Sequence, residues 1–114
     1  MVSNSVISAR LDIRCKAGDT FTRRFTFTTS SDPIDLSGHE LKAQVKKTDG
    51  TVLIEWLNDG FALISTGIYE ISRTADQMNL TPDNYTWDLQ VTYPGGERRT
   101  WMFGDFEIYN QTTV

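Results

Sequence analysis

The stretch Pro82-Asp83-Asn84-Tyr85-Thr86-Trp87-Asp88-Leu89-Gln90-Val91-Thr92-Tyr93 decides the fold. After a turn signal at Pro82-Asp83-Asn84, the apolar Tyr85, Trp87, Leu89, Val91 and Tyr93 alternate with Thr86, Asp88, Gln90 and Thr92. A period of two is that of a strand with one buried face and one wet face, and this is the longest such run in the chain, which predicts a central strand. Pro94-Gly95-Gly96-Glu97 then predicts a hairpin into a strand over 98–103, and Gly104-Asp105 reads as a break before a last strand over 106–109.

Toward the N-terminus the same grammar repeats. Ile7, Ala9, Leu11, Ile13 and Cys15 alternate with Ser8, Arg10, Asp12 and Arg14, predicting a first strand over 6–15. Gly18-Asp19 turns the chain into a strand with Phe21, Phe25 and Phe27 on one face and Thr22, Arg24, Thr26 and Thr28 on the other. Arg23 falls in phase with the aromatics, where its stem can cover the margin of the core while its head stays in water. Ile34 and Leu36, two apart in a polar turn-rich segment, read as a short edge strand or a plug under the core. Leu41, Ala43 and Val45 mark the next strand, and Asp49-Gly50 is the strongest short hairpin signal, pairing it with 52–57. Turns at Asp59-Gly60 and Thr66-Gly67 bracket strands over 61–64 and 68–71. Thr74-Ala75-Asp76-Gln77 has the form of a capping box and predicts one helical turn over 75–79, the only helix expected. Short strands at this spacing without long helical patterns predict an all-β, two-sheet antiparallel sandwich of immunoglobulin-like architecture. The Cys and Trp spacing of antibody domains is absent, so the term describes architecture alone.

The chain has 114 residues, room for one domain spanning 1–114 with its own core. Its 11 Lys and Arg against 15 Asp and Glu give a formal net charge of −4, without the basic footprint that duplex binding needs, so nucleic acid is not an expected partner. No apolar run is long enough to span a bilayer, so no membrane association is expected. One cysteine, Cys15, makes no internal disulfide and reads as a small buried apolar residue. The first residues hold no continuous apolar core of a signal peptide, so synthesis and folding in a cytoplasm are expected.

Catalytic chemistry finds no purchase. The one histidine, His39, stands in a polar turn without local partners and reads as a solvated loop residue. Nucleophile elbow, phosphate-cradling loop and His-x-x-x-His pair are all missing, so neither enzymatic activity nor a metal or other cofactor is expected. The aspartates sit mostly beside Gly, Pro or Ser, where their side chains cap nearby amides. Asn79-Leu80-Thr81, Asn84-Tyr85-Thr86 and Asn110-Gln111-Thr112 match the glycosylation pattern but are read as chance. The aromatics Trp56, Trp87, Trp101, Tyr69, Tyr93 and Tyr109 allow two readings: a stacking platform for sugars, or core. Core is the better reading for Trp87, whose in-phase neighbours are Leu89 and Val91. In Thr100-Trp101-Met102-Phe103, strict alternation puts Trp101 and Phe103 on one face and Met102 on the other. Such a two-faced apolar strand is covered on its outer side by a partner subunit or by a loop. The candidate protein interface is therefore Trp101, Met102 and Phe103, with Pro94, Arg98 and Arg99 of the preceding hairpin as a protruding contact.

Gly18-Asp19-Thr20-Phe21, Pro33-Ile34-Asp35-Leu36-Ser37-Gly38, Pro82-Asp83-Asn84-Tyr85-Thr86-Trp87-Asp88-Leu89 and Phe103-Gly104-Asp105-Phe106-Glu107-Ile108, in this order, resemble the immunoglobulin-like N-terminal domain of phage baseplate upper proteins and its small single-domain relatives. The resemblance covers about 11–114 and rests on turn and strand signals. Where that family usually has Gly before the Tyr of the third motif, this chain has Asn84, a residue that tolerates left-handed backbone. The resemblance implies a non-enzymatic phage or prophage structural protein, in the tail or baseplate of a virion. Its expected partners are other virion proteins, in a homo-oligomer or symmetric assembly. Capsid decoration and recognition of a host-surface glycan are the alternative roles. The larger family members continue into further domains, which places receptor binding by this chain in doubt and suggests a stand-alone adaptor.

Overall fold

A computed structural model of the chain describes residues 9–29 and 32–110. The strands are β1 (Ala9–Arg10), β2 (Ile13–Lys16), β3 (Phe21–Thr26), β4 (Thr28–Thr29), β5 (Asp32–Pro33), β6 (Glu40–Lys46), β7 (Val52–Trp56), β8 (Ala62–Ser65), β9 (Ile68–Arg73), β10 (Asp83–Thr92) and β11 (Arg98–Tyr109). The larger sheet runs β1-β11-β10-β6-β7, with β2 joining β11 on the same side as β1, and the smaller runs β3-β9-β8. β10 lies at the centre, as its length of alternation predicts. The pairs β10–β11, β10–β6, β6–β7, β3–β9 and β8–β9 are antiparallel, whereas β1 and β2 run parallel to β11. The fold is an immunoglobulin-like β-sandwich.

Register explains the core. Trp87 stands opposite Val45, Leu89 opposite Ala43 and Val91 opposite Leu41, while Ile54 and Trp56 extend the same face into β7. All of these are buried. The facing sheet contributes Phe21, Phe25 and Ile71. Aromatic contacts close the gap between the sheets: Phe25 stacks near Trp87 at 5.9 Å between centroids, and Phe21 meets Phe106 edge-on at 5.5 Å. Leu36 is buried without belonging to a strand, so of the two readings for that segment the plug holds.

Three local expectations are corrected. The first strand is broken at Leu11-Asp12 into β1 and β2, and positions 6–8 lie outside the described residues. The capping box forms, since Thr74 N–H donates to Gln77 Oε1 at 2.9 Å and Gln77 N–H to Thr74 Oγ1 at 3.2 Å. Its chain makes only a turn, with one i to i−4 bond from Met78 N–H to the Thr74 carbonyl, and the single 3-10 helix among the described residues is Asn58–Gly60. Propagation would have needed further bonds, and Asn79 N–H goes to the Asp76 carbonyl instead. Finally, Gly104-Asp105 does not interrupt the last strand: β11 continues through both to Tyr109. Gly104 is there for space. A Cβ on it would lie 2.3 Å from the Leu11 carbonyl oxygen, which crosses the strand at that point.

Candidate interaction surface

β11 has more than one face's worth of apolar residues because it is bulged. Met102 pairs with Leu89 but Thr100 pairs with Gln90, so Trp101 is one residue in excess of its partner strand. The extra residue reverses the alternation. Met102 shares the inner face with Leu89, Trp101 is swung onto the core as well, and both are half-buried against it. Trp101 lies edge-on to Phe27 at 5.5 Å, and its Nε1–H donates to the Tyr93 hydroxyl at 3.3 Å. Phe103, opposite Asp88, is left exposed on the outer face. The expected split, with Trp101 and Phe103 together and Met102 opposed, is therefore corrected.

The six sequence-selected residues do not form one surface. Trp101 and Met102 belong to the margin of the core. Pro94, Arg98 and Arg99 are exposed at the end of the sandwich, where Tyr93 N–H donates to the Glu97 carbonyl at 2.7 Å and Arg99 pairs with Glu97. Phe103 lines a shallow groove on the outer face with Arg10, Gln44, Lys46, Asp88 and Asp105. In that groove Asp88 Oδ1 is shut away from solvent without a hydrogen-bond partner, and so is Gln90 Oε1 further along the strand. Trp56 and Trp87 are buried and Trp101 half-buried, so no tryptophan platform is presented. His39 is half-buried, with its ring edge-on to Tyr93 at 5.2 Å, rather than solvated.

The lateral side formed by β1 and β2 is tied down. Trp87 Nε1–H donates to the Leu11 carbonyl at 2.7 Å, Leu11 N–H donates to the Phe103 carbonyl at 2.8 Å, and Asp105 N–H donates to Asp12 Oδ1 at 2.9 Å. That amide, helped by the Arg10 guanidinium, holds the Asp12 carboxyl below the ordinary carboxylate value. Arg10 bridges Asp12 and Asp105 at 3.1 and 3.3 Å, and Arg14 pairs with Glu107 while lying 4.0 Å over the Tyr109 ring. Cys15 sits half-buried on this side, and desolvation pushes its thiol up to about 11 despite the opposing charge of Arg23.

The opposite side is open. β7 ends the larger sheet and β8 ends the smaller, and only the 57–61 link joins them. Here stand Val52, Leu57, Leu63 and Ile64, with 43%, 54%, 63% and 43% of their surface exposed. With Phe103 they are all the exposed large apolar residues among those described. A pair of adjacent apolars in a short strand gave no sign of exposure. Only the position of β8 at the end of its sheet makes them a surface. Among the described residues no group of His, Cys, Asp and Glu is arranged to hold a metal ion.

No protein-family model matches the chain, and no curated protein matches it. Among solved structures it is similar to part of an endo-beta-1,4-mannanase from Thermotoga petrophila, at 11% identity and a TM-score of 0.55, over 85% of this chain and 18% of that one. It thus spans less than a fifth of the mannanase chain. It is also similar to the extracellular domain of the voltage-gated sodium channel beta4 subunit, at 12% identity and a TM-score of 0.49, over 97% and 100% of the two chains. The fibronectin(III)-like modules of Clostridium thermocellum CbhA match at 10% identity and a TM-score of 0.43, over 93% of each. At such identities the likeness concerns fold alone.

Proposed function

We propose that this chain is a non-catalytic assembly module of a phage or prophage virion, placed in the tail or baseplate, which docks to other virion proteins through its surface. The four motifs shared with the baseplate-type domain support the phage context, and they fall on the turns and strands that frame the sandwich. One observation carries the assembly role: the uncovered apolar side at Leu57, Leu63 and Ile64. A soluble sandwich gains nothing from leaving such side chains in water, whereas a docked subunit gains roughly 25 cal/mol for each Å² of apolar surface it hides.

Quantitative mass spectrometry of purified particles from the source, counting this chain against the major capsid and portal proteins, tests the reading. A low copy number matching tail symmetry is expected. A number tracking the capsid would move the chain to head decoration, and its absence from the particle would overturn the proposal.

A further inference from the structure

We draw no further inference here: the strongest candidate, the apolar strip of Leu57, Leu63 and Ile64 along the free edge of β8, is an unpartnered surface with nothing in the structure to show what covers it.

Discussion

The two lateral sides of the sandwich solve the same problem in opposite ways. Each exposes sheet edges whose backbone groups would pair with a neighbour. On the β1–β2 side the first strand is kinked at Leu11-Asp12, the kink is locked by hydrogen bonds to Trp87, Phe103 and Asp105, and the edge is lined by Arg10, Arg14 and Lys16. On the β7–β8 side the chain leaves Leu57, Leu63 and Ile64 uncovered and places no charge within β8, although Glu55 lies in β7 and Asp59 in the link between them. The first side is built for folding and against association. The second anchors the fold through its inward side chains Ile54, Trp56 and Phe61, while its outward ones are free to serve contact with another molecule.

The comparison breaks most readily at Gly104. An alanine there would drive a methyl to 2.3 Å from the Leu11 carbonyl oxygen and 2.8 Å from Asp12 Oδ1, backbone on one hand and a hydrogen-bonded carboxylate on the other. β1 and β2 must lift off β11, and Trp87 Nε1–H loses its acceptor. An unpaired buried donor alone costs about 1–3 kcal/mol. Gly104→Ala should therefore lose about 3 kcal/mol in urea-induced unfolding, the largest effect expected here. A loss below about 1 kcal/mol would show that the locked side is not what secures the first strand.

Trp101 comes next. Held half-buried between Phe27 and Tyr93, it should cost about 2 kcal/mol when replaced by alanine, less than the 3–5 typical of a fully buried aromatic. Phe103→Ser, two positions along the same strand, should stay within about 0.5 kcal/mol of the wild type because that ring already faces solvent. Equal costs at the two positions would mean that the bulge does not divide them.

Alternation in 85–93 identified the central strand because a buried face on a regular strand must repeat every two residues, and Tyr85, Trp87, Leu89 and Val91 obey it without interruption. The same rule misassigned 101–103. A bulge adds one residue and flips every position beyond it, and nothing local to Thr100-Trp101-Met102 marks where the extra residue falls. Gly104 was legible as a special position but not as a close approach, since the group that approaches it is Leu11, far away in sequence. Leu63 and Ile64 looked like any short apolar strand. Their exposure follows from strand order, which sequence period does not encode.

At Leu63 the folding cost of substitution should be as small as at Phe103. Leu63→Lys is expected within about 0.5 kcal/mol of the wild type by thermal melting, the ordinary range for surface changes. A loss of about 2 kcal/mol would instead make Leu63 part of the core, and the open side would cease to be distinct from the locked one.

The smallest effects are titrations, and two of them belong to the locked side. Asp12 has its carboxyl lowered below 3.8 first by the Asp105 amide and then by Arg10, so the folded chain holds the charged form more firmly than the unfolded chain does. A depressed carboxyl stabilises above its unfolded value and ceases to do so as pH falls through its folded value. Acid should therefore weaken the fold from about pH 4 downward, and Asp12→Asn should flatten that decline. Cys15 acts in the other direction. Its thiol is raised from 9.0 to about 11 by burial, so the folded chain keeps its proton while the unfolded chain releases it. Stability should then fall between those two values, and Cys15→Ala should remove that part of the alkaline decline. Denaturant melts of the two variants across the pH range check both signs.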